Sequence, residues 1–164
     1  MDQANMTAQV QQLVDRYEIT DLVYRLGVSL DEGRFDVLRS LFVERATART
    51  PGGTAEGRDA LIAQASRNHR RDERIQHATT NLLVELDGDR AKVRANLVVH
   101  FAPPADPNGS ALAPPVQFSL GEVYRFDVVR TPQGWRFSRV ETSPVWLSGA
   151  LDRGPQQGTA NQPA

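Results

Sequence analysis

The second half of the chain holds four runs of alternating apolar and polar residues, and they come in two pairs. Ile75 to Leu86 and Arg90 to Phe101 flank Asp87-Gly88-Asp89, while Val116 to Arg130 and Trp135 to Trp146 flank Thr131-Pro132-Gln133-Gly134. A short glycine-bearing segment between two alternating runs predicts a β-hairpin. Strands of this length need an apolar layer to cover one face, and the first third of the chain supplies it. Val10, Leu13, Val14 and Tyr17 recur at helical spacing, as do Leu22, Val23, Leu26 and Leu30, with Thr7 as the expected cap and Gly33 as the expected stop. Phe35, Leu38, Leu41 and Phe42 predict a second, short helix. Pro51-Gly52-Gly53 reads as a turn between two short extended pieces, and Gly57-Arg58-Asp59 leads into a third helix carrying Ala60, Leu61, Ala63, Gln64 and Ala65. Helices first and antiparallel strands after them define an α+β fold. A strongly curved sheet wrapped on a long helix leaves a hollow between the layers, a natural place for a small molecule.

The length of 164 residues fits one domain, read as residues 1–150, followed by an apolar-poor tail from Leu151 that is expected to be disordered. Pro103 to Pro115 holds five prolines, which fits a loop and suggests a lid. The absence of cysteine excludes disulfides, thiolate catalysis and Cys-ligated zinc. A net charge of −1 argues against nucleic-acid binding, and the single lysine, Lys92, leaves little scope for Schiff-base chemistry. No apolar run approaches the roughly 18–20 residues of a membrane span. The opening MDQANMTAQV has no secretory apolar region, so a cytoplasmic protein is expected. No HxH or HExxH spacing and no glycine-rich phosphate loop occurs, so neither a metal nor a cofactor is expected.

Four segments in this order, LVYRLGVSLDEGRFDVLRSLF (22–42), EGRDAL (56–61), QHATTNLLVELDGDRAKVRANLVV (76–99) and GWRFSRVE (134–141), resemble the nuclear transport factor 2-like superfamily, within it the SnoaL-like and scytalone dehydratase-like branch. The resemblance spans about residues 8–149. It implies a cone-shaped fold, with three N-terminal helices on a strongly curved, mostly antiparallel sheet and a pocket at the open end. It also implies a homodimer or higher homo-oligomer. Members include dehydratases, cyclases, isomerases, epoxide hydrolases and non-catalytic subunits, so fold does not settle function.

The candidate site residues follow from both sources. Asp31 ends the first helix; by itself it reads as a solvated helix-end acid, while the resemblance implies a pocket aspartate paired with a histidine. His77 opens a strand on which alternation places Thr79, Asn81 and Leu83 on the same face. The residues alone leave His77 open between a backbone-bonded structural role and a ligand contact; the resemblance makes it the general acid or base, a role that suits imidazole. Glu122 shares a face with Phe118, Leu120, Tyr124, Phe126 and Val128, so in this register it is buried or cavity-facing, and burial would raise its pKa; a shift of register would instead leave it outside beside Arg125. Tyr24 lies seven residues before Asp31, nearly on the same helix face. Together with Asn81, Tyr124 and Trp146 it is a candidate for substrate contact. His100 falls by alternation on the outer face beside Lys92, Arg94 and Asn96, and a bulge before Pro103 would be needed to bring it inward. The run Arg67 to Arg74, with His69 inside it, reads as a solvated loop, the alternative being a contact with an anionic ligand at the pocket mouth.

Through the Asp–His pattern, the resemblance implies an enzyme that moves protons next to the carbonyl of a small apolar substrate, of polyketide, steroid-like or aromatic type. The reaction would be a dehydration, isomerisation or cyclisation. His77 would move the proton, Asp31 would orient it, and Tyr24, Asn81 or a protonated Glu122 would stabilise the enolate. A non-catalytic binding or dimerising module, and epoxide hydrolysis by Asp31 and Glu122, are the alternatives.

Overall fold

In chain order, α1 (Gln3–Asp31) and α2 (Phe35–Leu41) lead into β1 (Phe42–Thr50) and β2 (Gly53–Glu56). Helix α3 (Arg58–Asn68) follows, and then β3 (Arg74–Asp87), β4 (Arg90–Ala102), β5 (Phe118–Thr131) and β6 (Gly134–Gly149). This computed structural model describes residues 3–69, 74–104 and 113–150. The expected tail, most of the expected lid and residues 70–73 of the charged run lie outside the described residues.

Both hairpins form with two-residue loops. Gly88-Asp89 joins β3 to β4, with Gly88 at φ 57°, a backbone that the twist of the strands requires and glycine adopts without strain. Pro132-Gln133 joins β5 to β6, and the Thr131 hydroxyl donates to the Gly134 carbonyl at 2.7 Å. The sheet order is β2-β1-β6-β5-β4-β3. Neighbours are antiparallel except β1 and β6, which run parallel, so the two short extended pieces enlarge the four-stranded layer to six. Three helices pack on this curved, open sheet.

The core follows the apolar patterns. Ile19, Leu22, Val23, Leu26 and Leu30 of α1 join one buried cluster with Leu38 and Leu41 of α2, Val93, Ala95 and Leu97 of β4, and Phe126 and Val128 of β5. Phe137 of β6 stacks on Phe126 at 4.8 Å and meets Phe42 at 5.2 Å. Helix α1 ends as expected. Gly33 takes φ 64°, and the N–H groups of Gly33 and Arg34 bond the carbonyls of Leu30 and Ser29 at 3.2 and 2.8 Å. Its start differs. Thr7 does not cap it but lies inside, its hydroxyl donating to the Gln3 carbonyl at 3.0 Å. The stripe of Val10, Leu13, Val14 and Tyr17 is exposed; the buried residues of α1 begin at Asp15 and continue on another line through Ile19, Leu22, Val23 and Leu26.

Strand β3 is at the edge of the sheet, and α1 lies along it. The Arg16 guanidinium bonds the Val84 carbonyl, and the Asp31 carboxylate accepts the backbone N–H of His77 at 2.9 Å. Polar groups that an edge strand would leave open are thereby satisfied by helix side chains. A bulge between Thr80 and Leu83 corrects the expected alternation along β3. Asn81 sits at φ 53°, a left-handed conformation that asparagine tolerates better than most residues. Beyond it Leu82, Val84 and Leu86 turn inward, and Asn81 and Leu83 turn out.

Candidate active site

A cavity of about 180 Å³ lies between the helices and the sheet. Its walls are largely apolar, including Leu26 and Leu30 of α1, Phe42 of β1, Leu97 and Val99 of β4, and Leu120 of β5. Against these walls stand four titratable groups: His77, His69, Glu122 and Tyr124.

His77 is brought there by the inward set of β3 before the bulge. Its side chain is 6% exposed, and its Nδ1 lies 2.6 Å from Oδ1 of Asp31. The same carboxylate takes the His77 backbone N–H, at 2.9 Å to Oδ1 and 3.2 Å to Oδ2. An ionised carboxylate only accepts, so Nδ1 carries the hydrogen, and in the neutral ring Nε2 keeps its lone pair. Asp31 thus fixes the ring by two anchors, strand backbone and side chain. Gly27 of α1 permits this closeness: a Cβ built there would stand 3.6 Å from the Cβ of His77.

Glu122 is 7% exposed, on the inward face of β5 where the apolar pattern places it. Its Oε1 meets no hydrogen-bond partner among the described residues. Burial pushes its carboxyl above the ordinary carboxylate range, against smaller opposing pulls from the Thr142 hydroxyl and from His77. Tyr124, two residues on, also lines the cavity, and burial drives its phenol well above the ordinary value, with Glu122 and Asp31 adding to the rise.

Four expected contacts lie outside the cavity. Tyr24 is 49% exposed: the buried stripe of α1 runs through Leu22, Val23, Leu26 and Leu30, and Tyr24 stands beside it. Asp31 shares that angle but ends the helix, where its short side chain reaches across to β3. Asn81 is turned out by the bulge. His100 remains on the outer face, because the register between β4 and β5 runs unbroken to Phe101, and its Nδ1 meets the Ser119 hydroxyl at 2.8 Å. Trp146 is 46% exposed and covers Gly121, where a Cβ would lie 2.1 Å from the indole.

His69, by contrast, is not part of a solvated run. It follows α3 directly and lines the cavity with Leu61, Gln64, Ala65 and Asn68 of that helix. These positions follow the i, i+3, i+4, i+7, i+8 pattern of one helix face, a signal present in the sequence beneath the surrounding charges.

Residues 11–141 match the family described as SnoaL-like domain. The chain belongs to the SnoaL-like domain family. A comparison with curated proteins finds no match. Among solved structures, an NTF2-like protein with a cystatin-like fold from Novosphingobium aromaticivorans is 30% identical, with a TM-score of 0.71 over 88% of this chain and 90% of that one. A candidate scytalone dehydratase from the same organism is 20% identical, with a TM-score of 0.74 over 94% and 99%. A type 2 hexachlorocyclohexane dehydrochlorinase, LinA, is 18% identical, with a TM-score of 0.72 over 93% and 99%. The NTF2-like fold expected from the sequence is therefore shown, and it is one that small-molecule-converting enzymes share.

In this SnoaL-like chain, no group of three or more His, Asp or Glu side chains is arranged to hold a metal ion among the described residues. Nor is any helix among them long and apolar enough to cross a membrane. The site instead combines an oriented imidazole, with a free lone pair, and a carboxyl that burial holds toward its neutral form. In an apolar hollow such a pair can take a proton at one point and give one at another.

Proposed function

We propose that this SnoaL-like chain is a lyase or isomerase that eliminates or shifts a group next to the carbonyl of a small, largely apolar ring compound. The observation that carries the reading is the Asp31–His77 pair, whose imidazole lines an apolar cavity together with the buried carboxyl of Glu122. In a dehydration, Nε2 of His77 takes the proton from the carbon beside the carbonyl. The electron pair of that C–H bond forms the double bond, the neighbouring C–O bond breaks, and the Glu122 carboxyl gives its proton to the departing hydroxyl, which leaves as water. The imidazolium then reprotonates Glu122, directly or through solvent. An isomerisation uses the first half of this sequence, with the proton returned at another carbon.

Cavity size narrows the substrate. A cavity of roughly 150 Å³ in another protein holds benzene, so about 180 Å³ suits a single ring with small substituents better than a steroid. Epoxide hydrolysis by paired carboxylates fits less well, because Asp31 is engaged with His77. A homodimer or higher homo-oligomer is part of this reading, on the resemblance of the sequence to its superfamily; light scattering that gives a single-copy mass at every concentration would remove it. The chemistry is tested by following deuterium exchange and water loss on monocyclic hydroxyketones. His77→Ala and Asp31→Asn are expected to abolish or sharply slow both, and unchanged rates in both variants would overturn the proposal.

A further inference from the structure

One cavity imidazole takes no part in the proton movements above. His69 is held at both ends of its geometry. Its backbone N–H bonds the Ala65 carbonyl at 3.1 Å, and its ring Nδ1 meets the same carbonyl oxygen at 2.7 Å. A carbonyl can only accept, so Nδ1 carries the hydrogen, and Nε2 of the neutral ring is an acceptor. The ring lies between Phe35, edge-on at 5.8 Å, and His77, near-parallel at 5.8 Å and 22°. Nε2 is buried and meets no hydrogen-bond partner among the described residues, while the residue lines the cavity. Burial also holds the ring below the ordinary imidazole range, and proximity to His77 adds to that, whereas the Ala65 carbonyl and Asp31 oppose it. A buried acceptor without a donor is costly, and a ligand that supplies the donor recovers that cost.

We infer that His69 is a substrate-binding residue whose Nε2 accepts a hydrogen bond from a ring hydroxyl, so that the site selects hydroxylated ring compounds over their deoxy counterparts. An ammonium donor is disfavoured, since it would carry a charge into an apolar hollow. The two imidazoles then divide the work: His77, tied to a carboxylate, meets the reacting carbon, and His69, tied to a neutral carbonyl, holds a hydroxyl that does not react. This division rests on the elimination reading; the selection by His69 is a binding property that can be measured without turnover.

Phenol and toluene are the probes, matched in size and differing in the donor. Calorimetric titration of the full chain gives the ratio of their affinities. His69→Phe keeps an aromatic ring between Phe35 and His77 and removes the acceptor, and it is expected to lower the preference for phenol about tenfold while leaving toluene binding in place. An unchanged ratio overturns the inference, as does a wild-type chain that binds toluene and not phenol. The second measurement needs no variant. In protein labelled with 15N at histidine, phenol is expected to move the Nε2 resonance of His69; movement at His77 alone, or none, overturns the assignment. Neither probe can be dehydrated to a ketone product, so failure of the elimination assays leaves this result standing, and failure here leaves the Asp31–His77 chemistry to its own test.

Discussion

At the scale of single residues, Asp31 has two duties that substitution can separate. It satisfies an edge-strand N–H and it sets the tautomer of His77. Asp31→Asn keeps the shape but offers an amide in place of a carboxylate, so the ring can bind in the wrong tautomer. By comparison with other Asp–His pairs, turnover should fall by roughly 10²–10⁴-fold. Loss of a charged acceptor should cost about 1–2 kcal/mol of stability. Chemical denaturation and single-turnover kinetics on the same sample check both; an active Asp31→Asn chain would show that orientation is not its role. Glu122 makes a different prediction, because its cause is burial. Its pKa in the folded chain lies above the ordinary value near 4.5, so the fold binds this proton more tightly than the unfolded chain. Its contribution to stability is complete below that value and is lost as pH rises through the raised pKa. Glu122→Gln does not titrate. The melting temperature of the variant relative to wild type should therefore climb as pH goes from 4 to 8, and a flat difference would count against a buried neutral carboxyl. Glu122 was legible in the sequence because it stands alone among apolar and aromatic partners on one strand face. Asn81 was not, since alternation cannot reveal a residue inserted into the pleat, and the helical spacing of His69 was masked by the charged residues around it.

At the scale of elements, the site depends on α1 lying close along the edge of β3. Gly27 sets the approach. An alanine Cβ there would meet His77 at 3.6 Å, an ordinary contact, so Gly27→Ala should keep the Asp31–His77 geometry. It should also raise stability by about 0.5–1 kcal/mol, because glycine within a helix is entropically costly. Gly27→Leu carries three further carbons beyond that contact, and is expected to push α1 away from β3 and part Asp31 from His77. The expected outcome is a raised urea midpoint with full activity for alanine, and a folded chain with much-reduced activity for leucine. Equal activity in both would show that the helix position does not govern the site. Elements themselves were well marked in the sequence: two hairpins, three helices and the Gly33 stop. What periodicity could not supply was pairing. Nothing in the run Phe42–Thr50 tells that it lies parallel to β6 and widens the sheet, because partner choice is settled by the assembled core.

At the scale of the whole molecule, α1 must also be fastened to the two hairpins, and a polar clamp outside the cavity does this. Arg130 of β5 reaches Asp15 of α1 at 2.7 Å and Asp89 in the β3–β4 turn at 2.9 Å, and its guanidinium lies 4.4 Å over the ring of Trp135. The Trp135 indole N–H and the Gln11 amide also donate to Asp15, at 3.3 and 3.1 Å. The Arg130 hydrogen bond, foremost among these, holds the Asp15 carboxyl below its ordinary value near 3.8, with burial opposing. Asp15 is enclosed by close side chains but lies at shallow depth, and Arg130 is one-third exposed. Solvent therefore screens the pair, and the cost of Asp15→Asn should be about 1–2 kcal/mol, below the roughly 3–5 expected for a pair deep in a core. The sign with pH is opposite to that of Glu122. A depressed pKa contributes stability that is present above the ordinary value and is lost as pH falls through the folded one. Wild type and Asp15→Asn should thus differ most in urea midpoint at neutral pH and converge below about pH 4. None of the clamp residues lines the cavity, so turnover at a temperature where both chains are folded should be the same. A variant with normal stability and altered turnover would mean that the clamp acts on the site itself, by shifting α1 along β3.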